Sequence, residues 1–154
     1  MFKLKFFKFL VILVILTFPT LVQAAICRFN NPNLAFGIYD PRPGASNTST
    51  ATITVVCSDM KSDVPYSLSL VKTKQFLTMT KGGDIINYQL FTTASYTTTW
   101  DDKNVIKGVV VNNSGNGFDT KTVYSKIIPN QSGIKSGAYT SFADPVIITL
   151  NYTQ

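Results

Sequence analysis

The sequence contains no histidine and no glutamate, and its eight acidic residues are all aspartates. Without histidine, the usual general base and a Ser-His-Asp triad are excluded. Two cysteines without histidine are too few ligands for a structural zinc site. The sequence also lacks a dinucleotide fingerprint and a phosphate-binding glycine loop. These absences argue against an enzyme, and we expect no catalytic residue, no metal and no cofactor.

The first 24 residues have the pattern of a secretory signal peptide. Three lysines precede an unbroken apolar run over residues 9–16, and small or medium residues occupy positions 22–24. The run is too short to cross a bilayer as a helix, whereas it has the length of a signal-peptide core. We predict cleavage after Ala24, which leaves a secreted domain of residues 25–154 with no stable membrane insertion.

The charge of the chain is less basic after this predicted cleavage. The whole sequence has 14 basic and eight acidic residues, a net charge of +6. Three basic residues and no acidic ones lie in the predicted signal peptide, so the remaining domain carries +3. Its lysines are scattered singly. We interpret them as a solvated surface and expect no nucleic acid partner.

Two cysteines, Cys27 and Cys57, follow the predicted cleavage site. Secreted proteins enter an oxidising compartment, where two cysteines ordinarily form a disulfide. The alternative is a pair of free thiols. In the chain-entropy model, closing this loop stabilises the fold by about 3–4 kcal/mol.

Alternating apolar and polar residues predict strands through most of the chain after residue 24. Alternation with a period of two turns one face of a strand to a core and the other to water. The strand candidates are residues 51–57, 66–70, 86–90, 105–111, 122–128 and 146–152. Turn-forming residues separate them, and no sustained helical period is present. Short strands at this spacing predict an all-β sandwich with Greek-key connections.

A series of short motifs is spread over the same strands. They are Cys27, Phe36-Gly37-Ile38-Tyr39-Asp40-Pro41, Ala51-Thr52-Ile53-Thr54-Val55-Val56-Cys57, Pro65-Tyr66-Ser67-Leu68-Ser69-Leu70, Ile86-Asn87-Tyr88-Gln89-Leu90-Phe91, Trp100-Asp101-Asp102, Val123-Tyr124-Ser125-Lys126-Ile127-Ile128-Pro129, Gly137-Ala138-Tyr139 and residues 146–152. In this order, with both cysteines, they resemble the spore coat protein U domain, which pilin subunits of the archaic chaperone–usher pathway share. Ser125 and Lys126 stand where the family usually has Gly and Arg, and we expect both to be tolerated.

The resemblance implies an incomplete immunoglobulin-like Greek-key sandwich that lacks its final strand and has one disulfide. The missing strand would leave an apolar groove and a free sheet edge, which another chain can fill by donor-strand complementation. We expect this groove between the first and last strands. Its predicted residues are Phe29, Leu34, Phe36 and Ile38 on the first strand and Val146, Ile148, Leu150 and Tyr152 on the last. The alternative is that these residues close an ordinary, complete core.

The resemblance also implies a function as a structural subunit of an extracellular fibre, a pilus or fimbrium. Such a subunit crosses the periplasm to the cell surface, and its expected partners are a periplasmic chaperone, an outer-membrane usher and neighbouring pilin subunits. Pilins that polymerise carry an N-terminal extension before the first cysteine, whereas only Ala25 and Ile26 would precede Cys27 here. A subunit of this kind accepts a strand without giving one, which predicts a terminal or minor position in the fibre.

Two other functions stay open at this point. In a tip adhesin or lectin-like domain, Tyr96, Trp100 and Phe118 could form a sugar-binding platform, although aromatic residues more often pack in the core of a sandwich. A self-contained coat protein of a spore or cell surface would exchange no strand, and it would fold as a stable monomer without a chaperone.

Overall fold

A computed structural model describes residues 24–43, 45, 47–131 and 133–153. The predicted signal peptide therefore lies almost entirely outside the described residues, and its prediction stays an expectation. Eleven strands and no helix are present in the described part of the chain. The strands are β1 (Ile26–Phe29), β2 (Ile38–Tyr39), β3 (Thr48–Ser58), β4 (Val64–Lys72), β5 (Leu77–Lys81), β6 (Asp84–Phe91), β7 (Ile106–Val110), β8 (Gly117–Ile127), β9 (Gly137–Ala138), β10 (Ser141–Phe142) and β11 (Val146–Tyr152).

The strands form two main antiparallel sheets. The larger sheet has the order β1-β3-β8-β6-β5-β10, and the smaller has the order β11-β4-β7. The short strands β2 and β9 pair with each other apart from both sheets. Because β3, β4 and β5 follow one another in the chain but alternate between the two sheets, the connections cross from layer to layer. The predicted all-β sandwich is confirmed.

The core lies between the two sheets and follows the predicted alternation. In β3, Ala51, Ile53, Val55 and Cys57 are buried while their neighbours face outward or lie at intermediate depth. The same period holds in β4, β6 and β8. The largest fully buried side chains include Trp100, Ile53, Leu68, Leu70, Leu77, Met79 and Ile86. The one buried polar residue among the described positions is Ser125, whose hydroxyl donates to the Ser49 carbonyl oxygen at 2.8 Å.

One side of the sandwich is closed where β7 passes close to β8. Two glycines allow this approach. A Cβ atom at Gly108 would lie 2.5 Å from the side chains of Tyr66 and Asp119, and one at Gly117 would lie 2.2 Å from the main-chain oxygen of Val111. The Tyr66 hydroxyl donates to Asp119 across this closed side at 2.9 Å. The strands therefore lie too close here to accommodate a side chain at either glycine.

The first strand departs from the prediction. We expected one strand running from Phe29 past Ile38, but β1 ends at Phe29 and β2 begins at Ile38. Asn30 ends β1 by bonding to Thr54 with its main chain and its side chain, and Pro32, which has no amide hydrogen, follows. The strand β5 was not predicted at all, because Leu77–Lys81 contains only two apolar residues.

Candidate functional site

The side of the sandwich opposite the closed one is an open seam between the two sheets. On one side it is bounded by β1, the edge strand of the larger sheet, and by residues 30–36, which follow β1 and belong to no strand. On the other side it is bounded by β11, the edge strand of the smaller sheet. Both β1 and β11 are edge strands, and no strand among the described residues pairs with the outer side of either. An unpaired strand edge of this kind presents free backbone donors and acceptors to a further strand.

The disulfide fixes one boundary of the open seam. Cys27 of β1 and Cys57 of β3 are directly opposite each other in the ladder and form the predicted bond. The four-residue edge strand β1 is thereby tied covalently to its neighbour β3. Phe29 then points inward beside Cys27, where it packs partly buried against the core.

The other boundary, β11, carries the clearest alternation at the site. Ile148 and Leu150 are partly buried and pack against the core. Ile147 lies between Val146 and Ile148 and is 63% exposed, because its side chain points to the opposite face of the sheet. Along its full length β11 pairs with β4, from Val146 opposite Lys72 to Tyr152 opposite Tyr66. Hydrogen bonding therefore holds β11 from one side only.

The residues between β1 and β2 cover the larger sheet loosely. Leu34 and Phe36 are partly buried against the core, while Asn31, Asn33 and Ala35 are exposed. The Ser49 hydroxyl donates to the Ala35 carbonyl oxygen. This alternation orients two apolar side chains into the open seam although the segment is not a strand.

A cavity of about 270 Å³ lies at one end of the open seam. Its floor and walls come from both sheets, from residues 32–34 and from the turn before β11. The lining residues are Pro32, Asn33, Leu34, Leu70, Tyr88, Leu90, Trp100, Val123, Phe142, Asp144, Val146 and Ile148. We call this space the seam cavity. Burial and the nearby charge of Asp144 raise the pKa of Tyr88 to about 12, so its hydroxyl stays neutral at physiological pH.

The other end of the open seam is narrow. Cα atoms of β1 and β11 come within 8 Å of each other there. A strand lying between two others needs a separation of about 9.6 Å, which is two hydrogen-bonding steps of about 4.8 Å. The open seam is thus wide at the Val146 end and pinched where β1 meets β11.

Asp144 fixes the start of β11 at the wide end. Its carboxylate, on a side chain that is 5% exposed, accepts hydrogen bonds from the main-chain nitrogen and the hydroxyl of Thr78, and it lies 2.6 Å from the exposed ammonium of Lys74. The Lys74 and Thr78 hydrogen bonds hold the pKa of Asp144 below its usual value. These bonds, with the Ala143 amide donating to Thr78 at 3.0 Å, anchor the turn before β11 to β5.

The predicted groove residues fall into three groups. Phe29, Leu34, Phe36, Ile148 and Leu150 are brought together, partly buried along the open seam. Val146 and Tyr152 lie on the same face of β11 but are more open, each 38% exposed. Ile38 does not join them: it is 73% exposed and pairs with Ala138, while its neighbour Tyr39 is the buried residue.

Several residues of the seam cavity were not predicted as site residues. Leu70, Tyr88, Leu90 and Val123 were expected only as core positions, and their inward alternation was the signal that could have placed them beside a gap. Phe142 lies in the two-residue strand β10 and Asp144 in a turn. No sequence pattern predicts that Phe142 and Asp144 line the cavity, because their positions beside it depend on how β10 pairs with β5.

The three aromatic residues considered as a sugar platform do not form one. Trp100 is fully buried; its indole NH donates to the Leu68 carbonyl oxygen at 3.0 Å. Tyr96 packs edge to face between Phe91 and Tyr124. Phe118 is 72% exposed but lies at the start of β8, on the outer face next to the closed side. The alternative of a sugar platform is therefore not supported, because the loop before Trp100 turns its indole into the core.

Within residues 24–153, leaving out positions 44, 46 and 132, no group of three or more metal-ligating side chains is present. The same described stretches contain no helix long and apolar enough to cross a membrane.

Comparison with known proteins identifies the family. A family model described as the Spore Coat Protein U domain matches residues 14–148, which is most of the chain. No curated protein sequence matches. Among solved structures, one similar chain belongs to the complex of the chaperone CsuC with the tip adhesion subunit CsuE, from archaic chaperone–usher Csu pili of Acinetobacter baumannii.

That structural match has a TM-score of 0.51 at 14% sequence identity, and it covers 82% of this chain. This chain spans only 40% of the length of the matched chain. At this identity the match shows the fold alone, and it agrees with the immunoglobulin-like sandwich expected from the sequence. With the two sheets, the Cys27–Cys57 disulfide and a family model that spans nearly all of the described strands, the chain belongs to the spore coat protein U domain family.

Proposed function

We propose that this protein is a structural subunit of an extracellular fibre of the chaperone–usher type, and that its open seam accepts a strand donated by another chain. The observation that carries the proposal is the free edge of β11 beside the apolar seam cavity. A strand added there would continue the smaller sheet and cover Val146, Ile148 and Leu150. Backbone hydrogen bonds would supply affinity, and the inward side chains would supply specificity.

The expected gain from strand addition is large relative to the stability of a small domain. Burying four donor side chains contributes on the order of 6–12 kcal/mol before ordering costs, at about 1.5–3 kcal/mol each. Small domains are stable by about 5–15 kcal/mol in total. A subunit with an empty open seam would therefore depend strongly on a partner for its stability.

The proposed partners act in sequence along the export route. A periplasmic chaperone binds the open seam first, an outer-membrane usher receives the complex, and a neighbouring subunit then replaces the chaperone at the cell surface. The fold similarity to a chain from a chaperone–subunit complex of Csu pili supports a chaperone as the first of these partners. The shape of the seam, with apolar residues partly buried but not covered, supports a subunit that is completed by another protein.

We further propose a terminal or minor position in the fibre. This rests on cleavage after Ala24, which would leave two residues before Cys27 and no donor segment. N-terminal sequencing of the exported protein tests it. A mature chain that begins well before Ala25 would contradict the terminal position without touching the acceptor role.

A self-contained coat protein is the second candidate, because the pinched end of the open seam and the tethered β1 are what a closed sandwich would also show. The two candidates differ in one respect. The self-contained protein does not bind an added strand, whereas the fibre subunit does.

The test is a peptide whose residues alternate between valine and serine and which is long enough to span the seven residues of β11. Added to the purified protein, it should raise the melting temperature, and a peptide of the same composition in scrambled order should not. Ile148→Asp should abolish the rise because it places a carboxylate in the open seam. Ile147→Asp is the matched control: the same substitution one position along, on the exposed face, should keep the rise.

Circular dichroism checks that each variant folds. If Ile148→Asp does not fold, the acceptor role is still tested by comparing the melting temperature of the wild-type protein with the alternating peptide and with the scrambled peptide. A wild-type protein whose melting temperature responds to neither peptide, or to both equally, would overturn the proposed acceptor role.

A further inference from the structure

The open seam differs along its length in what it can accommodate. At the Val146 end the seam cavity is open, with about 270 Å³ of space. At the pinched end, Cα atoms of β1 and β11 lie within 8 Å of each other, and Phe29 of β1 and Leu150 of β11 are each partly buried against the core. Along a donor strand that pairs with β11, one inward side chain would therefore have space for a large group, and at least one other inward side chain would have little space.

The seam cavity has the volume of a large side chain. A cavity of about 150 Å³ lined by apolar side chains is enough to hold a benzene molecule. The seam cavity exceeds this, so its volume is sufficient for a phenyl group with its first methylene. A small side chain would leave much of the space empty, and its lining atoms would lack contacts.

Three aromatic residues, Tyr88, Trp100 and Phe142, line part of the seam cavity. Tyr88 lies between Phe36 and Phe142, with ring centroids 5.5 Å and 5.7 Å away and interplanar angles of 66° and 71°. Phe142 is 44% exposed, so part of its ring faces the open side. A further aromatic ring entering here could add to this edge-to-face row, which is the arrangement that aromatic pairs favour.

Asp144, the one charged residue among the described residues that line the seam cavity, is already paired. Asp144 lines the wall, but its carboxylate bonds to Thr78 and Lys74. It therefore offers little to a polar donor side chain, and its negative charge disfavours an acidic one. The site is suited to an apolar or aromatic group.

We infer that the open seam selects its donor strand by size and position: the largest apolar side chain of the donor, preferably aromatic, occupies the seam cavity beside Val146 and Ile148, and the inward donor residues at the Leu150 end are small. This inference rests on the proposed acceptor function. It names the ligand as an extended segment from another protein chain with one large apolar residue near one end of the inserted strand.

Three peptides test the inference. Each alternates valine with serine, and a phenylalanine replaces the first, the central or the last valine. Affinity is measured by fluorescence anisotropy of a labelled peptide. One of the two end positions should bind at least about tenfold more tightly than the centre and the opposite end, and which end it is reports the direction of the strand relative to β11.

A cavity-filling variant assigns the preference to the seam cavity. Leu34 lines the seam cavity, so the larger side chain of Leu34→Trp should occupy it. The variant should lose the preference for a phenylalanine at one end of the peptide, and it should bind the all-valine peptide more tightly than the phenylalanine peptides. Ile147→Trp, on the exposed face of β11, should keep the wild-type preference.

The outcomes separate the inference from the proposed function. Equal affinity for the three phenylalanine peptides, or tightest binding with phenylalanine in the centre, would overturn the size selection while the acceptor role stands. An end preference that persists unchanged in Leu34→Trp would also overturn it. Failure of every alternating peptide to bind the wild-type protein would overturn both.

Discussion

Replacing Trp100 with phenylalanine should destabilise the whole sandwich, because this side chain joins the two sheets. Its indole NH donates to the Leu68 carbonyl oxygen in β4, and its main-chain NH donates to the Leu90 carbonyl oxygen in β6 at 2.8 Å. Trp100 is fully buried. Phenylalanine keeps the main-chain bond but leaves the Leu68 acceptor without its indole partner, a loss of about 1–3 kcal/mol.

We expect Trp100→Phe to lower the free energy of unfolding by about 2 kcal/mol. With a denaturation slope of about 2 kcal/mol per molar urea, the midpoint should shift by about 1 M. Far-UV circular dichroism is the right signal, because Trp100 is the only tryptophan and its fluorescence is lost in the variant. A variant as stable as the wild type would refute the account of Trp100 as a bridge between the sheets.

Three further predictions concern the closed side, the disulfide and the turn before β11. Gly117→Ala should destabilise the fold by about 1–3 kcal/mol, since its Cβ would lie 2.2 Å from the Val111 oxygen; calorimetry showing no change would contradict the close approach. The double variant Cys27→Ser, Cys57→Ser should lose about 3–4 kcal/mol in urea unfolding, and a reducing agent should lower the stability of the wild type but not of the variant. Asp144 has a lowered pKa in the folded state, so its charge stabilises the fold above the pKa of the unfolded carboxyl and this contribution is lost as pH falls through the folded value. The stability advantage of the wild type over Asp144→Asn should therefore be full at neutral pH and vanish in strong acid, and an advantage independent of pH would contradict it.

The sandwich could be predicted from the sequence because its long strands alternate strictly. Every second residue is apolar from Ala51 to Cys57 in β3 and from Val64 to Leu70 in β4, and these residues are buried as the alternation predicts. Ile148 and Leu150 were placed on the inward face of β11 by the same period. The disulfide followed from two cysteines in a chain with a signal-peptide pattern, and the structure confirms it.

The parts that could not be predicted depend on contacts far apart in the sequence. The break between β1 and β2 arises because Asn30 forms hydrogen bonds with Thr54. The alternating pattern of the residues around Asn30 does not predict this break. Ile38 was predicted to line the groove, yet its pairing with Ala138 exposes it and buries Tyr39. The narrow and wide ends of the open seam follow from the relative positions of whole sheets, which no local pattern encodes.

The most direct test of the central claim is hydrogen exchange of the β11 amides, measured by NMR on the monomeric protein with and without the alternating peptide. Amides on the edge of β11 that faces away from β4 should exchange rapidly in the free protein and become protected, by at least about tenfold, when the peptide binds. The amides bonded to β4 should be protected in both states. Protection of every β11 amide in the free monomer, unchanged by the peptide, would contradict the claim that this edge is open to a donated strand.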